Sequence, residues 1–193
     1  LNDRLKAADK PLERAVLERI HNSMISLGAT PMNGAVLVSL AGRYEDMGDT
    51  STAIRLLAKA SSFLQARRRD AYYDSAILAA NKTLINAFSA AGRLSDARQH
   101  AGAITDPKIK AKTQVLAARE FARRGELKSG RALLKAALNQ VANIKKPGDR
   151  YDVLEDMRDA YLALGERKNA QDVLTRMEKI IRDDTKSYNW RYR

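Results

Sequence analysis

His21 and His100 are the only side chains here whose ordinary pKa lies near neutrality, and neither stands in a set able to catalyse. Glu18 and His21 make one Glu-x-x-His step, whereas a di-iron bundle needs two such steps and two further Glu. Three residues before His100 stands Ala97, so the second step is missing. Cysteine is absent, which removes a thiol nucleophile, a thiolate zinc site and disulfides. The glycines punctuate helical runs and form no phosphate-cradling loop, and no Ser or Lys has an identifiable base beside it. These residues point away from an enzyme, and toward no cofactor and no metal.

Charge is the remaining chemistry. The chain carries 35 Lys and Arg against 23 Asp and Glu, a net +12, with a pI near 10.0. Such a balance favours acidic partners such as nucleic acid or an anionic surface. It is local: between Asp106 and Lys135 nine basic residues face three acids. Within that stretch Lys108, Lys112, Arg119 and Arg123 recur at helical spacing and share one face. Further on, Asp152, Glu155, Asp156 and Asp159 share a face of another helix, and Lys82 and Asn86 stand one turn apart on an earlier one. The basic and acidic stripes admit two readings: they neutralise each other across adjacent helices, or they form a bipolar groove that orients a partner.

The elements that carry these stripes emerge from an internal repeat. The 193 residues lie within the range of one domain, and a composition 45% hydrophobic and 30% charged with 4 prolines is globular and favours helix. Gly48, Gly92, Gly125 and Gly165 are each preceded by an aromatic four residues earlier: Tyr44, Phe88, Phe121 and Tyr161. Five residues after them stand Ala53, Ala97, Gly130 and Ala170, all small, and apolar residues follow at nine and twelve. A helix A, a glycine turn and a helix B pressed closely on A by its small residue satisfy this pattern. The B-helix stripes, such as Ala170, Val173, Leu174, Met177, Ile180 and Ile181, are expected to face the core. One hairpin cannot bury its own apolar face, so stability requires stacking.

This register resembles the tetratricopeptide repeat (TPR) family, most clearly over Leu40-Ala41-Gly42-Arg43-Tyr44 followed by Gly48, Ala53, Leu57 and Ala60. The glycines stand 44, 33 and 40 residues apart where the family keeps about 34, which calls for longer helices or looser links. The resemblance implies an all-α, right-handed superhelical solenoid of about nine helices. Its expected parts are a leading helix in 1–30 (from Pro11 to Leu27), hairpins near 31–67, 70–105, 107–144 and 148–184, and a basic aromatic tail over 185–193. Arg67-Arg68-Arg69-Asp70 would link the first two hairpins, and the apolar side of the leading helix, Leu12, Ala15, Val16, Ile20 and Met24, would need a cover.

In TPR-like proteins the A helices line a concave groove, so the resemblance sets the two charged stripes side by side along it. The expected function is a non-catalytic scaffold that binds a polypeptide of mixed charge, with Lys82, Asn86, Lys108, Lys112, Arg119, Arg123, Asp152, Glu155, Asp156 and Asp159 bordering the groove. Lys82 and Asn86 also match the first pair of the family's carboxylate clamp, but the later places hold Leu116, Asp152 and Asp156, which would repel an acidic chaperone tail. The second repeat is similar to a pentatricopeptide repeat as well, so RNA binding is the alternative. Its base-reading places would hold Ser39, Thr83, Leu116 and Asp156, a poor set for hydrogen-bonding bases. No apolar run reaches the roughly 18 residues that span a bilayer, and no signal-peptide pattern follows Leu1. A processed, soluble chain is expected, either cytoplasmic or exported.

Overall fold

The computed structural model describes residues 2–65 and 71–190, with side chains for 13–30, 32–63 and 74–183. Among these residues there are nine helices and no strand: α1 (Asn2–Ser26), α2 (Pro31–Asp46), α3 (Thr50–Gln65), α4 (Ala71–Ala90), α5 (Leu94–Ala103), α6 (Pro107–Arg123), α7 (Leu127–Val141), α8 (Pro147–Ala163) and α9 (Arg167–Trp190). The expected link Arg67 to Asp70 lies outside the described residues.

The helix boundaries follow from local chemistry. Thr30 caps α2 by accepting the Asn33 N–H, with Pro31 as the first helical residue, and Asp106 caps α6 by accepting from Ile109 ahead of Pro107. Asp49 does the same for α3 through the Thr52 N–H, and that bond is the main reason its carboxyl is held below the usual range. At the other ends Gly48, Gly92, Gly125 and Gly165 all adopt positive φ, between 69° and 80°. Three of these turns close with the same pair of bonds. Asp49 N–H donates to the Tyr44 carbonyl (2.8 Å) and Gly48 N–H to Glu45; Glu126 donates to Phe121 (2.9 Å) and Gly125 to Ala122; Glu166 donates to Tyr161 (2.8 Å) and Gly165 to Leu162. This is the Schellman closure, which needs the left-handed conformation that glycine adopts without strain.

The aromatic of each repeat is the residue whose carbonyl or register position closes helix A, and all four rings are buried, Tyr44, Phe88, Phe121 and Tyr161 among them at 7% exposure or less. The small residue five past each glycine is buried too. At Gly130 the reason is explicit: a Cβ there would lie 3.1 Å from the Ala118 carbonyl oxygen, so α7 approaches the α6 backbone more closely than a larger residue allows.

The chain divides into two compact units, Leu1–Ala91 and Gly92–Arg193. The division falls in the turn of the second expected hairpin. The helix after it, α5, has only 10 residues and buries only Ala97 and Ala101, a small apolar contribution. In the first unit α2 packs against α1, α3 and α4, and α3 against α4, where the Ser61 hydroxyl donates to Asn81 Oδ1 at 2.9 Å in a buried bond. In the second, α6 packs against α5, α7 and α8, and α8 against α7 and α9.

Three local expectations are corrected. Helix α1 does not begin at Pro11 but runs through it from Asn2; the residues ahead of it, such as Leu5 to Ala8, are strong helix formers, and proline removes only one hydrogen bond from a long helix. Among the described side chains of α1 the buried one is Leu17, whereas Val16 and Ile20 are 48% and 37% exposed; Leu12 of the expected apolar side lies outside the described side chains. Among the described side chains of α9, up to residue 183, only Ala170, Val173 and Met177 are buried, Leu174 and Ile180 are half-buried and Ile181 is exposed, because α9 packs chiefly against one neighbour, α8. That helix also continues to Trp190, so most of the span expected as a tail is its last turns.

Candidate functional site

Helices α6 and α8 lie side by side, and a row of ion pairs runs between them. Lys108 Nζ meets Asp149 Oδ1 at 2.9 Å, Lys112 Nζ meets Asp156 Oδ2 at 3.0 Å, and the Arg119 guanidinium lies 3.7 Å from Asp159 Oδ2. Numbers ascend together on both helices, so the two run parallel. Antiparallel neighbours would reverse the order. Parallel packing follows from the intervening α7, which returns the chain to the starting end.

The exposed line of α6 is narrow. Its flanks bury Ile109, Ala111, Thr113, Val115, Ala117 and Ala118, leaving Lys108, Lys112, Leu116 and Arg119 half-buried and Arg123 exposed. Arg123 turns along its own helix to Glu120 at 2.9 Å, and Arg124 reaches the same carboxylate at 3.5 Å. Glu120 is itself buried, so two guanidiniums at its side offset the cost of taking its charge from water. On α8, Asp159 also accepts two bonds from Arg158, at 2.7 and 2.9 Å, and this contact holds the Arg158 pKa above its ordinary value.

The stripes read from the sequence are thus brought together, and of the two readings mutual neutralisation describes Lys108, Lys112, Arg119, Asp156 and Asp159. Asp152 and Glu155 are both exposed and neither forms an ion pair or hydrogen bond among the described residues, although the charge of Glu155 adds to that of Asp159 on Arg158. Lys82 and Asn86 are exposed on α4, in the other unit. Sequence reasoning missed two residues of the face. Asp149, the partner of Lys108, lies one turn ahead of Asp152 at the same helical spacing, so extending the acidic stripe by three residues would have found it. Glu120 carried no such signal, since its role depends on which side of α6 is covered.

The two histidines lie in different units, His21 in the first and His100 in the second. His21 is half-buried beside Arg55, and burial first and that cation second lower its pKa. Burial drives His100 down to about 4. Among the described residues no group of three or more His, Asp or Glu is placed to hold a metal ion, and no helix is long and apolar enough to cross a membrane. No protein-family model matches the chain, and no curated protein and no solved structure matches it.

Proposed function

We propose that the protein is a non-catalytic binding scaffold, a right-handed solenoid of TPR-like hairpins that holds a partner polypeptide along the α6/α8 face. The observation that carries this reading is the parallel pair α6 and α8, whose solvent-facing line runs the length of both helices with Leu116 half-exposed in its middle and Asp152 and Glu155 unpaired at its edge. An extended or helical segment can lie along such a line and make many weak contacts at once. The pairing within the face decides what charge a ligand feels. Lys108, Lys112 and Arg119 already meet carboxylates, so an acidic ligand must compete for them, whereas a basic residue over α8 gains two carboxylates that have no partner. The ligand is therefore a segment of mixed charge whose basic part sits on α8.

The test is to reverse Asp152 and Glu155 together to Lys and measure partner capture from a lysate with and without nuclease, followed by affinity at two salt concentrations. A protein ligand of this kind loses affinity, and the loss shrinks as salt rises. Binding of RNA would instead strengthen, because two cations would be added beside the basic helix. An unchanged protein partner at unchanged affinity would remove the α6/α8 face from the function. Reversing Asp156 and Asp159 is a poorer test, since it breaks the ion pairs of the fold itself.

A further inference from the structure

We propose that the trough between α7 and α9 is a second binding site, which takes an acidic peptide segment carrying an apolar side chain. The trough has a volume of about 460 Å³ and draws its walls from three helices. Its floor is apolar: Leu154 and Val141 are buried, and Leu138 and Ile180 are half-buried, so part of their apolar surface still meets water. Covering that surface is favourable in proportion to the area removed from solvent. Around the rim stand Arg150, from the first turn of α8, and Arg176 and Lys179, from α9. Asp183 is the single acid beside these three cations.

None of the three cations has an ion-pair or hydrogen-bond partner among the described residues, which sets this rim apart from the α6/α8 face. The Arg150 Nε–H is moreover shut off from solvent without an acceptor. A buried donor without a partner is costly, and an acceptor entering the trough would relieve it once the guanidinium turns to meet it. Arg is the side chain best suited to a carboxylate, which it grips through two parallel N–H bonds. Apolar floor, cationic rim and orphan donor together select a ligand that is apolar at one point and carboxylate-bearing on either side.

The shape selects a peptide over a small amphiphile. Pockets for small ligands bury most of the ligand surface, and this trough is open along one side. An extended segment can place one side chain on the floor and continue over the rim, with neighbouring carboxylates reaching Arg176 and Lys179. This ligand class rests on the scaffold reading, but the site does not share a residue with the α6/α8 face, so the two can fail separately.

The experiment uses fluorescence anisotropy with a labelled hexapeptide Asp-Glu-Leu-Phe-Asp-Glu and two controls, one with Lys in place of each acid and one with Gly-Gly in place of Leu-Phe. The acidic apolar peptide should bind, and each control should bind about tenfold or more weakly. The R176E/K179E variant should lose about tenfold or more, with D152K/E155K unchanged. Both α9 positions are exposed, so helicity should survive; if charge reversal unfolds the helix, R176Q/K179Q gives the same comparison. Equal peptide affinity in a folded R176E/K179E or R176Q/K179Q variant overturns the site. Tighter binding of decanoate than of the peptide overturns the ligand class, and a gain of about tenfold or more in peptide affinity in D152K/E155K would place the acidic peptide on the other face.

Discussion

Along α6 and α8 three cations, Lys108, Lys112 and Arg119, each meet a carboxylate of the neighbouring helix, whereas around the α7/α9 trough Arg150, Arg176 and Lys179 meet none among the described residues. Both regions belong to the same unit and both are rich in basic side chains. The difference lies in what the next helix supplies. Helix α8 offers Asp149, Asp156 and Asp159 to α6, so the local basic excess of that helix is spent inside the protein. Around the trough only Asp183 is at hand. A net charge of +12 is therefore a poor guide to where an anion binds, because the cations that stand out in sequence are the ones already paired.

The strongest way to break this comparison is to remove the packing beneath both regions. Phe121 is buried near the end of α6, and its carbonyl closes the turn into α7. Phe121→Ala should cost about 3–5 kcal/mol, as for other large buried aromatics, and should abolish binding at both faces together. Urea melts followed by circular dichroism measure the cost. A loss below about 1 kcal/mol would mean that the ring is not part of the core that positions them.

Much of this was legible from spacing alone, and the limits have a common cause. The turn glycines and the four aromatics could be read because a positive φ restricts the residue type at one position, and the Schellman closure then ties the aromatic to it at a fixed distance in the chain. The pairing of the stripes was one of two readings; choosing between them requires the register of α6 against α8, which no local pattern contains. Ile181 was expected in the core because periodicity shows which residues share a face and not how wide a strip the neighbour covers. The trough was invisible for the same reason: Leu138, Arg150 and Arg176 are far apart in the chain and meet only when three helices pack. The unit boundary at Ala91 and Gly92 also escaped, since Gly92 looks like every other turn glycine.

A second, somewhat smaller effect is the pH dependence that the burial of His100 brings to the unit carrying both regions. His100 is lowered by burial from its ordinary 6.5 to about 4. Its neutral form is favoured in the folded state, so the contribution to stability is fully present above pH 6.5, falls as the unfolded chain takes up a proton below that value, and is exhausted near pH 4. The total is about 3 kcal/mol. Urea midpoints at pH 7, 6 and 5 should decline in the native protein and decline less in His100→Gln. Parallel slopes for the two proteins would show that His100 is not the source of the acid sensitivity.

The smallest effect is the one that sharpens the comparison most. If the cations of α6 are engaged within the fold and those of α9 are not, the two sets should differ in stability terms even where both are partly exposed. A double-mutant cycle on Lys112→Ala and Asp156→Ala should yield a coupling of about 0.2–1 kcal/mol, the range for ion pairs near a surface, and the coupling should diminish in high salt. The cycle is needed because each single change also alters side-chain packing and helix propensity, and only the coupling isolates the pair. Arg176→Ala and Lys179→Ala should each shift stability by no more than about 0.5 kcal/mol and show no coupling to Asp156, since they stand on α9 and have no carboxylate partner among the described residues. A coupling indistinguishable from zero at Lys112 and Asp156 would mean that the 3.0 Å contact is fluid in solution, and that the basic stripe of α6 is as free for a ligand as the rim of the trough.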